Sequence, residues 1–196
     1  MIHTSELVRK LIHLFNLIIP FTYLFYLNTK LDALIFLVPI TLFAFLIEYL
    51  RKNSINVKSF FEKYLLSMLR THEIRGGYTG ATWVFIASTL SIAIFPKDIA
   101  VMSLIFMSVG DTTAGLIGRK FGRLIFYNKT LEGTLSGFII CLIIGLIMDL
   151  NLADIIIIFG ALSAMIIELI PTSFDDNLTI PLFSGTIMYV LSIVVI

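Results

Sequence analysis

Runs of apolar residues long enough to cross a lipid bilayer recur along this chain, and few folds can accommodate them. Each run covers roughly 17–20 residues, the length that spans about 30 Å of hydrocarbon at the helical rise of 1.5 Å per residue. Composition points the same way. Of the 196 residues 58% are apolar and 14% charged, and the mean hydropathy is +1.00, values that exclude an ordinary soluble domain. The net charge of +1 supplies no broad positive field, so no nucleic-acid partner is expected. The lone cysteine, Cys141, sits inside an apolar run and reads as packing. Glu6 and the lack of a small-residue cleavage site after the first apolar run mark that run as a retained span and not a signal peptide.

The expected fold is all-α: one domain over residues 1–196, polytopic in the membrane, with about seven transmembrane helices and one amphipathic interfacial helix. The spans are placed near residues 11–27, 31–50, 81–95, 99–118, 134–150, 152–170 and 178–196. Pro20 and Pro39 lie inside two of them and predict kinks. Between residues 51 and 77, Ile55, Phe60, Phe61, Tyr64, Leu65, Met68 and Leu69 alternate with charges at helical spacing, the pattern of a helix lying in the interface.

Cytoplasmic loops collect Lys and Arg. All such residues except Lys30 and Lys97 fall in the N-terminal tail, residues 51–77 and residues 119–129. The expected topology is an integral, multi-pass protein with the N-terminus cytoplasmic and the C-terminus outside. By alternation, the acidic loop at residues 171–177 also lands inside, so the unusual polar clusters share one face.

Charges inside or beside a span cost roughly 2.5–3.5 kcal/mol each even on the lenient insertion scale, so each needs a reason. In residues 6–13, Glu6, Arg9, Lys10 and His13 fall on one helical stripe able to bind phosphate and handle a proton. In residues 110–123, Asp111 lies within an apolar helix, with Ala114, Gly115 and Gly118 near its face and Arg119, Lys120 and Arg123 following at the surface. A carboxylate beside a glycine-lined face and a basic exit suits Mg²⁺ with a phosphate chain. In residues 129–137, Lys129 precedes Thr130, a candidate helix cap, and Gly133 leaves the helix N-terminal amides open to an anion. Glu168 and the Asp175, Asp176, Asn177 triplet end the sixth span and offer oxygen ligands to a divalent metal, although such residues also make ordinary turns. Residues 72–77 join the interfacial segment to the third span beside these clusters.

The motifs E-L-V-R-K-L-I-H at residues 6–13, G-D-T-T-A-G-L-I-G-R-K-F-G-R at 110–123, K-T-L-E-G-T at 129–134 and D-D-N-L-T-I-P at 175–181 resemble those of the CTP-dependent lipid kinases. That family includes dolichol kinase, phytol kinase and the CTP-using diacylglycerol kinase of yeast. The two central motifs are also similar to those of CDP-diacylglycerol synthases, whereas the first and last favour the kinase branch.

The resemblance implies transfer of the γ-phosphoryl group of CTP to the hydroxyl of a membrane lipid alcohol at the cytoplasmic interface, with Mg²⁺ as cofactor. Asp111 is then the expected metal ligand, with Asp175 or Asp176 as a second. Arg9, Lys10, Arg119, Lys120 and Lys129 are expected on the phosphates, and Gly115, Gly118 and Gly133 give them room. Proton acceptance falls to Asp176, Glu132 or His13 beside Asp111, a choice the sequence leaves open. The expected partners are CTP, a lipid alcohol of polyprenol, phytol or diacylglycerol type, and membrane lipids; a homo-oligomer is left open. Two rivals remain: a cytidylyltransferase that makes a CDP-activated lipid, and a transporter, whose polar residues would line a route through the midplane.

Overall fold

The computed structural model describes residues 4–195 and is helical apart from one short hairpin. Ile196, the end of the last expected span, and the side chain of His72 lie outside the described residues. The order is α1 Thr4–Phe15, α2 Ile18–Phe25, α3 Lys30–Asn53, α4 Ile55–Tyr64, α5 Thr71–Ile74, α6 Gly80–Ile94, α7 Lys97–Ile105, α8 Asp111–Phe121, β1 Ile125–Phe126, β2 Lys129–Thr130, α9 Leu131–Ile147, α10 Asp154–Leu169 and α11 Asp176–Val195.

Four helical stretches are long and apolar enough to cross a membrane: Glu6–Phe25, Lys30–Asn53, Lys97–Phe121 and Asp176–Val194. The segments expected as the other three spans are helical, as α6, α10 and α9, but with 15, 16 and 17 residues they are shorter than these four. The first helix starts earlier than expected. It takes in the charged stripe, because Glu6, Lys10 and His13 turn inward and are buried. Its break between α1 and α2 falls just before Pro20, whose ring clashes with the carbonyl four residues back. Pro39 sits inside α3 without ending it. That helix is opened by a reciprocal cap: Thr29 Oγ1 accepts the Asp32 amide (3.1 Å) and Asp32 accepts the Thr29 amide (2.9 Å). The expected interfacial helix is instead broken into α4, a 3₁₀ turn at Leu66–Met68 and α5.

Lys97–Phe121 is the hub. In its most apolar stretch 78% of residues are buried, against 22–33% in the other three long helices. A π-helical turn, Phe106–Gly110, joins α7 to α8 directly before Asp111. Around the hub, α8 packs on α9, α9 on α10 and α10 on α11, while α2 covers α7. The α8–α9 crossing is close: a Cβ on Gly133 would stand 2.5 Å from the Ala114 carbonyl oxygen, and one on Gly118 would stand 2.5 Å from Thr130 Oγ1. Only glycine at both positions permits it. The outer faces carry exposed Leu31, Ile35, Phe36, Leu42 and Phe43 on α3 and Ile139, Ile143 and Ile147 on α9, a surface suited to lipid and costly in water.

Candidate functional site

Asp111 opens α8 with only 8% of its surface exposed. A bare carboxylate there would be prohibitively costly, so it is paired. Lys10, on α1, reaches over Gly115 to put its ammonium 2.7 Å from Asp111 Oδ2 and 2.9 Å from the Asp111 carbonyl oxygen. A Cβ on Gly115 would lie 2.8 Å from the lysine Cε and Nζ, so this glycine leaves room for the lysine to lie as it does. His13 Nε2 lies 3.4 Å from the same carboxylate oxygen and 3.2 Å from the Met107 carbonyl. The Asn16 amide faces His13 Nδ1 at 3.4 Å. With that nitrogen accepting from Asn16, the proton sits on Nε2 and is donated to the Met107 carbonyl, with Asp111 beside it.

The remaining clusters assemble beside this pair. Glu6 bridges Arg9 and Arg119, the latter at 2.9 Å. Lys129, brought in by the hairpin, meets Asp176 at 2.8 Å and Glu168 at 3.1 Å, and donates to the Glu168 carbonyl. Burial alone would lower the Lys129 pKa, but the Asp176 and Glu168 carboxylates outweigh it and hold the ammonium above the usual lysine value. Together these groups line one cavity of about 660 Å³ that reaches from Glu6 and Lys10 past Asp111, Gly115 and Gly118 to Lys129 and Asp176.

A second cavity, of about 550 Å³, lies on the other side of Asp111. Its lining is mainly apolar, with Ile12, Ile40, Phe43, Ile47, Leu65 and Met68 among the residues, and it includes His13. Arg9, Lys10, Arg70 and Asp111 line both cavities and so form their common wall.

Arg70 is the residue that sequence reasoning passed over as one charge of an interfacial segment. Its guanidinium donates to Asp175 at 2.9 Å. Burial lowers its pKa, but Asp175 and Asp111 reverse that and raise it above the ordinary arginine value. A buried latch fixes the arginine in place. Glu73 accepts the Arg70 and Gly80 amides, and Arg51 donates to the Glu73 and Gly77 carbonyls. Glu48 in turn holds Arg51 at 2.9 Å and accepts from Thr79 and Thr82. Glu48 stands inside an apolar run, the same signal that singled out Asp111, and could have been found by it.

Some expected site residues stand elsewhere. Lys120 is exposed with its ammonium over the Phe121 ring and does not line the cationic cavity. Glu132 accepts the amides of Arg123 (3.0 Å) and Leu124 (3.1 Å), holding the turn after α8, and lines none of the cavities described here. Gly133 serves the helix crossing and is buried. Asp175 is turned to Arg70 and away from the cationic cavity. Among the described residues no three acidic, histidine or cysteine side chains converge as an all-protein metal site would require.

Fold and site thus define an all-helical membrane protein in which a buried acid separates a cationic cavity from an apolar one. Sequence comparison says which. The chain is 26% identical over 186 residues to an uncharacterised protein of Rickettsia prowazekii, covering 90% of each. It is 27% identical over 166 residues to CTP-dependent diacylglycerol kinase 1 of Schizosaccharomyces pombe, covering 76% of each. A probable chloroplastic phytol kinase of Oryza sativa is 30% identical over 57% of this chain and 42% of its own length. No protein-family model and no solved structure matches the chain. These similarities support the family of CTP-dependent lipid kinases, and with it an enzyme.

Proposed function

We propose that this protein transfers the γ-phosphoryl group of CTP to the hydroxyl of a lipid alcohol, giving a lipid monophosphate and CDP. The observation that carries the reading is the common wall: one acid and three cations stand between a cavity suited to phosphate and a cavity suited to a lipid chain. Phosphoryl transfer asks a protein mainly to position two substrates and to neutralise charge, which is what such a wall supplies.

Every carboxylate lining the cationic cavity is paired with a cation. A triphosphate competes for those cations. Lys10 and Arg70 turn to its γ end, Arg9, Arg119 and Lys129 to the remaining phosphate oxygens, and Asp111 is released toward the alcohol. The alcohol oxygen bonds to the γ-phosphorus, the bond to the β-phosphate oxygen breaks, and the hydroxyl proton passes to Asp111. His13, held by the Met107 carbonyl, stands 3.4 Å from that carboxylate and bounds its position. Asp111 and Asp176 line the same cavity, and two carboxylates with phosphate oxygens match the ligand set Mg²⁺ prefers; a bound Mg²⁺ would supply further charge neutralisation.

In the membrane, α6, α9 and α10 join the four long helices as crossing segments, their shortness met by local thinning of the bilayer. The exposed Ile55, Phe60 and Tyr64 of α4 rest in the interface, and the site opens on the cytoplasmic side, where Lys and Arg collect.

The test is the fate of label. Purified protein is incubated with Mg²⁺, a panel of diacylglycerol, phytol and polyprenol, and CTP labelled at the γ or the α phosphorus. Label from the γ position in a lipid is the expected result. Label from the α position in a lipid makes the protein a cytidylyltransferase, and no transfer to any alcohol removes the kinase reading.

A further inference from the structure

A third cavity, of about 490 Å³, opens beside the cationic one. Its wall is aromatic: Tyr78 comes from the segment just before α6, Trp83 from the first turn of α6, Tyr127 from the hairpin and Phe174 from the loop before α11. Tyr78 and Trp83 meet edge-on, with ring centroids 5.7 Å apart. Tyr127 and Phe174 are 66% and 62% exposed, an arrangement that wastes two large rings unless something flat covers them. Arg70, Asn128, Lys129 and Asp176 line both this cavity and the cationic one, so a single ligand can hold phosphates in one and a ring in the other.

Tyr127 adds a second sign. It is the first residue of the two-residue turn between β1 and β2, with φ of 54°. That left-handed position favours Gly, Asn or Asp, and a tyrosine is held there at a cost. The strained residue presents its ring to the cavity.

We propose that this aromatic cavity seats the cytosine and ribose of the nucleotide, an inference that rests on the CTP reading above. Bases stack on aromatic faces. Asn128, exposed at the rim and making no side-chain hydrogen bond among the described residues, offers both a donor and an acceptor to the amino and ring-nitrogen edge of cytosine. Asp176 can accept from a ribose hydroxyl. The charged floor of Arg70, Lys129 and the two acids argues against a hydrocarbon chain as the occupant.

The test uses the full-length protein in detergent. Trp83 is its sole tryptophan, so its emission reports on this cavity directly. Cytidine and CTP are each expected to change that emission, and inorganic triphosphate alone is not. In labelled-CTP assays, Tyr127→Gly and, separately, Phe174→Ala should each raise the KM for CTP roughly tenfold while the KM for the lipid stays within twofold. Tyr127→Gly should melt no lower than the parent protein, since it relieves the strained turn. Emission that follows triphosphate as well as it follows CTP, or an unchanged KM for CTP in both variants of an active enzyme, overturns the base site. If the parent protein transfers no phosphate from CTP, the kinase reading falls instead, and the response to cytidine still decides whether the base site exists.

Discussion

The two cavities that meet at Asp111 are built in opposite ways. On the cationic side each acid answers a cation, so removing one partner strands a buried charge and costs far more than the pair contributes. On the apolar side, Ile, Phe, Leu and Met fill a space that many hydrocarbon shapes can share, and aliphatic walls discriminate weakly. The difference teaches where specificity resides: the cationic side is demanding, the apolar side permissive.

The largest expected effect comes from breaking the wall itself. Asp111→Asn keeps the shape and the Asp111 carbonyl that Lys10 also binds, so the protein should elute as one species in detergent while phosphoryl transfer falls about a thousandfold. An active variant would take Asp111 out of the chemistry. Next, Arg70→Ala should lower kcat/KM about a hundredfold, and Arg70→Lys should recover only part of it, because an ammonium lacks the planar fork of the guanidinium. Equal loss in both variants would leave Arg70 with no role as a fork. Third, Glu48→Gln weakens the latch that holds Arg51 and the segment carrying Arg70. It should cost about 2 kcal/mol of stability, read as a lower melting temperature. The smallest effect sharpens the contrast from the apolar side: Ile47→Trp, which narrows that cavity, should raise the KM for a bulky lipid roughly tenfold and leave the KM for CTP unchanged.

The sequence showed much of this, for physical reasons that also explain its failures. Asp111 and the Glu6 to His13 stripe were legible because a charge in an apolar helix must be paired, and Lys10 and Asp111, 101 positions apart, do pair. Helical geometry also held the signal that separates Arg119 from Lys120. Nine residues beyond Asp111, at about 100° per residue, place Lys120 on the opposite side of α8, and its ammonium indeed turns out to Phe121. Glu132 was misleading because its carboxylate caps a turn eight and nine residues back, a contact that only the hairpin creates. Arg70 was hidden because its surroundings read as a continuous amphipathic helix, whereas the latch from Glu48 breaks that segment and aims the arginine into the site. The hairpin went unseen because each strand is two residues long and its turn carries Tyr and Asn where glycine would announce it.

The most direct measurement is a structure of the protein with Mg²⁺ and β,γ-methylene CTP, whose terminal phosphate is not transferred. The account predicts that phosphate against Lys10 and Arg70, on the far side of Asp111 from the apolar cavity. A terminal phosphate bound away from both cations, or an Asp111 turned out to lipid, would contradict it.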